Sequence, residues 1–365
     1  MTIRTATAVI DRQALLHNYQ TIKAKAPHSQ ILAVLKANGY GHGLERIAKA
    51  LSSSDIQADA FGVARLDEAL ALRAAGIVKP IVLLEGFFNA DDIDILSVNN
   101  LQTIVHNQQQ LNAILAAKLT QPLKVWLKID TGMHRLGIDT QDFEHFYRVL
   151  LESDNVENEL VFMSHLACAD DVENPMTAQQ LAVFNKVTEQ LSPTQAKSMA
   201  NSAGICAWPA SHFDWIRPGV MLYGVSPMAN ESAEQLNIKP VMTLQSSLIA
   251  IRNIKAGESV GYSSSWTCQQ DTTIGVVAVG YGDGYPRHAV NGTPVLVNGR
   301  IVPLVGRVSM DMITVDLGAD ANDDIGDVVT LWGQGLPVED VANYASTIAY
   351  ELLCNIKSRV KILLK

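Results

Sequence analysis

The chain has 365 residues, 48% of them hydrophobic and 18% charged, with a formal net charge of −9. That length and apolar content suit two domains with sizeable cores and exclude general disorder. The acidic balance argues against a nucleic-acid partner, because binding the phosphate backbone needs a basic face.

The first half alternates strand and helix at short periods. Asp11 is placed to cap a helix over "DRQALLHNYQTIKAK", with Leu15, Tyr19 and Ile22 on one face. A continuous apolar strand, "QILAVLK", follows and runs into the glycine-rich loop "ANGYGHG". Then come strand "AFGVAR", helix "LDEALALRAAG", strand "KPIVLLEG", helix "NADDIDILSV", strand "LQTIVHN" and helix "QQQLNAILAAKL". Strand "LKVWLKID", helix "TQDFEHFYRVLLES", strand "LVFMSHLA" and helix "TAQQLAVFNKVTEQL" continue the series, and two short strands fit "SMANS" and "WIRPGV". Apolar strands alternating with amphipathic helices predict parallel strands covered by helices. About eight strands in roughly 230 residues is the size of a (β/α)8 TIM-type barrel. The alternative is an open doubly wound sheet, weakened because no GxGxxG follows the first strand.

After about Pro227 the pattern becomes β-rich, with "VLVNGRIVPL" a hairpin signature around Asn-Gly. One amphipathic helix, "VEDVANYASTIAYELLC", is expected near the end. The expected division is residues 1–234 as an α/β barrel and 235–365 as a mainly β domain. No 18-residue apolar run occurs and the first segment lacks an apolar h-region, so a soluble, cytoplasmic protein with no membrane contact is expected. Cys168, Cys206, Cys268 and Cys354 are far apart and contain no CxxC pair. They read as free thiols in a reducing compartment, and no metal site is expected.

In a barrel, residues at the C-terminal ends of the strands face the active site. Lys36, Lys128, His165, Asn201, Ser202 and Arg217 all fall there, with Arg135 seven residues after Lys128. Taken singly, each has an ordinary reading: a snorkelling lysine, a satisfied core histidine. Coincidence at one face makes them a site. An amine held where water is scarce is nucleophilic, so Lys36 points to an imine with a sugar or with pyridoxal 5′-phosphate. Barrel phosphate sites use the loops after strands seven and eight, where Ser202 offers a hydroxyl and Gly219 and Val220 offer backbone N–H groups. An arginine such as Arg217 beside a pyridine nitrogen resists its protonation, which weakens the ring as an electron sink and suits simple proton transfer.

"VLKANGYGHG", "KIDTGMHRLG", "ANSAG", "IRPGVMLYG", "GYSSSW", "GYGDGYPR" and "GRVSMDM" occur in this order and resemble the alanine racemase family over nearly the whole chain. The resemblance implies a pyridoxal-phosphate barrel followed by a β domain, in a homodimer whose active sites take residues from both subunits. It also implies that the first short strand, in "IRTATAVI", packs with the β domain. Residue by residue, Lys36 resembles the imine lysine and first catalytic base, and Tyr262, from the partner subunit, the second. Tyr40, Asn201, Ser202, Gly219 and Val220 resemble the phosphate contacts. Arg217 resembles the arginine on the ring nitrogen, with His165 beside it near the second base. Arg135 resembles the arginine at the phenolic oxygen and substrate. Met310 resembles the residue whose N–H meets the substrate carboxylate. Tyr281 resembles an inner tyrosine of the access channel, and Asp170, Arg287 and Arg307 its outer layer. Lys128 resembles a lysine often carried as a carbamate.

Two bases suit the chemistry, because racemisation removes a proton from one face and returns one to the other. The implied substrate is alanine, in supply of D-alanine for peptidoglycan, with serine a weak substrate. Two departures stand out: Ser358 replaces a common tyrosine before Arg359, and Met133-His134 replaces Met-Gly. A barrel decarboxylase of basic amino acids would need an acid donor such as cysteine where Ser309 and Met310 stand. A non-catalytic cofactor carrier would lack the β domain. An aldolase would leave Arg217 unexplained.

Overall fold

A computed structural model describes residues 4–52, 57–192 and 194–365. The chain divides into two compact units. One comprises Leu16–Leu222 and Ser226–Ile238; the other comprises the segment up to Leu15, Tyr223–Val225 and Lys239–Lys365.

The larger unit is a closed barrel of eight parallel strands. In order they are Gln30–Val34, Ala60–Val63, Ile81–Leu83, Gln102–Val105, Val125–Lys128, Val161–Met163, Ala196–Ser198 and Trp215–Ile216. Gln30 and Ile31 pair with Trp215 and Ile216 to close it. Ile31, Leu32 and Ala33 are fully buried, as expected of a strand with protein on both faces. The outer helices bury one stripe each. In Phe143–Leu151 the stripe is Phe143, Phe146 and Leu150, at helical spacing. Phe143 meets Phe162 of the sixth strand edge-on, with ring centroids 4.8 Å apart.

Two stretches of the barrel differ from the sequence reading. The loop after the first strand is a left-handed turn over Lys36–Tyr40: Ala37, Asn38, Gly39 and Tyr40 all have φ between 52° and 61°. Left-handed backbone costs about 1–2 kcal/mol per non-glycine residue. Here it is braced: Glu68 Oε1 accepts from Ala37 N at 2.7 Å, and Asn38 Oδ1 accepts from Leu44 N at 2.9 Å. The seventh strand also ends earlier than "SMANS" implied. Asn201 leaves the strand direction and caps a short helix, Ser202–Ala207, its Oδ1 accepting from Gly204 N at 3.0 Å.

The second unit is built on a sheet of eight strands. Its long strand, Met242–Ile254, pairs antiparallel with Thr7–Ile10, Thr272–Val277 and Val328–Trp332. Thr7–Ile10 also pairs in parallel with Lys361–Leu364; Ile3, at the start of "IRTATAVI", lies outside the described residues. The hairpin Pro294–Val297 to Arg300–Pro303 turns through Asn298 and Gly299, both with positive φ, as a two-residue primed turn requires. The single helix expected over "VEDVANYASTIAYELLC" is two, Val338–Tyr344 and Ala349–Cys354. Ser346 takes a φ of 49°, and Thr347 N reaches back to Ala342 O at 3.1 Å, a hydrogen bond that closes the first helix.

Candidate active site

The parallel strands deliver polar residues to one end of the barrel. Lys128 is the last residue of the fifth strand and is buried. Burial comes first, then the charges of Arg217, Arg135 and Lys36, and together they pull its amine down to about 7. Three cationic side chains, Arg217, Arg135 and Lys36, thus act on the Lys128 amine. The acid that offsets Lys128 is Asp130. Its carboxylate also holds its own loop, accepting from Gly132 N at 2.8 Å and His134 N at 3.1 Å.

Arg217 follows the eighth strand and is almost completely buried. Its Nη1 donates to Ser198 Oγ at 2.6 Å; its Nη2 donates to Ser164 O at 2.6 Å and Met199 O at 3.2 Å. The same nitrogen lies 3.1 Å from His165 Nδ1. Arg217 can only donate, so Nδ1 is the acceptor and the ring proton sits on Nε2. Burial and then the surrounding cations hold His165 well below its ordinary pKa, so it stays neutral near pH 7. Burial lowers Arg217 to about 9, still cationic at neutral pH. A fixed guanidinium thus meets neutral acceptors rather than a carboxylate.

Beside it is a cradle of small groups. Gly219 N donates to Ser202 Oγ at 2.9 Å, and Met221 N approaches the same oxygen at 3.4 Å. A Cβ on Gly219 would lie 2.5 Å from the Tyr40 hydroxyl oxygen, so only glycine lets Tyr40 reach this spot. Val220 begins a turn of 3-10 helix over Val220–Tyr223. Asn201 Nδ2 donates to Leu166 O at 3.2 Å, tying the cradle to the sixth-strand loop. Asp170 is exposed farther along that loop.

The remaining expected residues lie in the second unit. Tyr262 is 68% exposed on a short turn following Gly261. Tyr281 and Met310 are joined through their neighbours: Tyr281 N donates to Ser309 O at 3.1 Å and Gly282 N to Met310 O at 2.8 Å. Both side chains are exposed, as are Arg287 and Arg307. Asn291 links the Tyr262 turn to the loop before Arg307, with Nδ2 donating to Ser265 O at 3.2 Å and Oδ1 accepting from Gly306 N at 2.7 Å.

Sequence reasoning missed the residues that hold these groups. Ser164 and Ser198 orient Arg217, Glu68 braces the Lys36 turn, and Asp283, paired with Arg359, holds Gly280 N beside Tyr281 in the chain. Ser164 was within reach, because it too stands at a strand end.

Fold and site define a class: a barrel enzyme with cationic side chains gathered at the C-terminal ends of its strands, and a separate β unit. Family models described as the alanine racemase N-terminal and C-terminal domains match residues 10–227 and 241–364. The chain is 56% identical over 358 residues to the alanine racemase of Vibrio atlanticus (strain LGP32), covering 98% of each. It is 54% identical over 360 residues to that of Vibrio cholerae serotype O1, covering 99% of this chain and 98% of the other. Among solved structures, the biosynthetic alanine racemase from Pseudomonas aeruginosa superposes with a TM-score of 0.95 at 45% identity, over all of both chains. The alanine racemase from Bartonella henselae, described with covalently bound pyridoxal phosphate, gives 0.87 at 31% identity over 99% of both. This chain belongs to the alanine racemase family.

Proposed function

We propose that this protein interconverts L- and D-alanine using pyridoxal 5′-phosphate, in supply of D-alanine for peptidoglycan. The observation that carries the reading is the buried Arg217, held among neutral acceptors beside Lys128. The barrel residues fit the cofactor: the cations Lys36, Arg135 and Arg217 suit an anionic group, and glycine at 219 with the Tyr40 hydroxyl leaves a cradle lined by small polar groups. When bound, the cofactor supplies the electron withdrawal that makes an α-proton removable.

Lys36 holds the cofactor and serves as base on one face. Tyr40, Asn201, Ser202, Gly219 and Val220 hold the phosphate. Arg217, fixed by burial, would offer a donor to the ring nitrogen of the bound cofactor, which would keep the ring a modest electron sink and favour returning the proton. Arg135 orients the phenolic oxygen and the substrate. Tyr262, from a second copy of the chain, serves as base on the opposite face. Tyrosine is ordinarily a weak base near neutral pH, and the Nε2–H of neutral His165 is the donor suited to its phenolate. Met310, whose N–H donates to no acceptor among the described residues, offers that N–H to the substrate carboxylate. Tyr281 confines the side chain to about the size of a methyl group and makes serine a weak substrate. Asp170, Arg287 and Arg307 line the approach. Lys128 reacts as a neutral amine with carbon dioxide, forming an N–C bond and releasing a proton, and its carbamate then holds Arg135.

The purified holoenzyme should turn L-alanine into deuterated D-alanine in heavy water. A Tyr262→Phe variant should lose at least about a hundredfold in both directions while keeping the cofactor chromophore. No deuterated D-alanine from the wild type would refute the reading; an undiminished Tyr262→Phe enzyme would refute the two-base scheme.

A further inference from the structure

Arg359 makes a contact that the proposed reaction does not use. Its Nε donates to Asp283 Oδ1 at 2.6 Å and its Nη2 to Asp283 Oδ2 at 3.2 Å. The same Nη2 donates to Asp311 Oδ1 at 2.7 Å. Asp283 is buried, and its Oδ2 also accepts from Gly280 N at 2.9 Å. Its carbonyl oxygen accepts from Lys357 N at 3.1 Å, closing the acid against the strand-entry segment that carries Arg359.

The two acids belong to different loops. Asp283 closes the turn that carries Tyr281; Asp311 follows Met310 directly. Those loops already exchange the backbone bonds Tyr281 N to Ser309 O and Gly282 N to Met310 O. The guanidinium packs against the same seam: a Cβ on Gly282 would lie 3.2 Å from both its central carbon and its Nη1, and 3.0 Å from Met310 O. A planar fork serves both carboxylates at once, which a point charge cannot do.

We propose that Arg359 is a positioning residue that fixes the Tyr281 turn against the Met310 loop, and so sets affinity for the substrate without touching it. This rests on the functional reading above. Arg359 is itself about half exposed. Its loss removes little packing but leaves the buried Asp283 carboxylate with Gly280 N as its remaining donor, so some stability is lost along with the hold on the two loops.

The test compares the wild-type holoenzyme with Arg359→Met and Arg359→Lys, by steady-state kinetics on both enantiomers and by amide hydrogen exchange. Expected are a KM for alanine raised roughly 10- to 100-fold with kcat changed less, and faster exchange over residues 280–284 and 309–312. The melting temperature should fall in Arg359→Met, the cofactor absorbance should stay close to wild type, and Arg359→Lys should behave like Arg359→Met in KM and in loop exchange. An unchanged KM in an active enzyme, or unchanged exchange at both loops, would overturn the proposal. So would faster exchange spread evenly over the chain rather than concentrated at the two loops, with kcat and KM falling together. Absence of alanine turnover in the wild type would sink the functional reading instead; loop exchange, which needs no turnover, still decides whether Arg359 clamps the loops.

Discussion

Burial and the charges of Arg217, Arg135 and Lys36 bring the Lys128 amine from its ordinary 10.5 to about 7. Below about 7 the folded barrel carries a buried ammonium and its full penalty. Between about 7 and 10.5 the folded chain has released a proton that the unfolded chain still binds, so stability rises with pH. In buffer stripped of carbon dioxide, the deficit of the wild type relative to Lys128→Met should therefore be largest below pH 7 and shrink up to about 10.5. Urea unfolding at a series of pH values measures it; a difference that does not vary with pH would contradict the burial argument. Labelled bicarbonate should then restore stability to the wild type alone and give a carbamate carbon signal. Lys128 was visible in the sequence as a strand-end lysine. Its charge environment was not, because Arg217 and Lys36 reach it from the two strands that close the barrel.

At the scale of elements, the cradle depends on two segments meeting closely. Gly219 leaves room for the Tyr40 hydroxyl, which the left-handed turn over Lys36–Tyr40 carries inward. Gly219→Ala should push Tyr40 aside and weaken cofactor retention by about tenfold or more, read by equilibrium dialysis. Adding Tyr40→Phe should cost less in that background than alone, because the hydroxyl is already displaced. Full additivity would argue against their contact. The turn itself was only partly legible. Its glycines announced unusual backbone, but Ala37 and Tyr40 are residues that rarely take positive φ, and the brace from Glu68 comes from the helix Leu66–Ala74, beyond the second strand. The short helix after Asn201 went unread for a different reason: six residues carry too little periodicity to separate it from a strand end.

Across the whole molecule, the strand–helix alternation was legible because each buried parallel strand is a continuous apolar run with a helix after it. The arrangement of the second unit was not, since its pairings join distant segments; Arg359 meets Asp283 across 76 positions and Asp311 across 48. If Tyr262 acts in the partner's barrel, Lys36→Ala and Tyr262→Phe chains should complement one another. A mixed dimer then holds one site with both bases intact and one with neither. Unfolding and refolding an equimolar mixture should recover about a quarter of wild-type activity, as half the dimers are mixed. No recovery in a mixture shown to contain mixed dimers would mean that both bases come from one chain.

The strand Thr7–Ile10 leaves the ribosome before any of the barrel strands, yet it lies between Met242–Ile254 and Lys361–Leu364. During synthesis it must wait while the barrel segments emerge, with both of its edges open to foreign strands. Joining residue 7 to residue 361 closes a loop of most of the chain, a slow and entropically costly step. The β unit is thus completed after the barrel, and a ribosome-stalled fragment lacking Lys361–Leu364 should hold a finished barrel and an unsealed sheet.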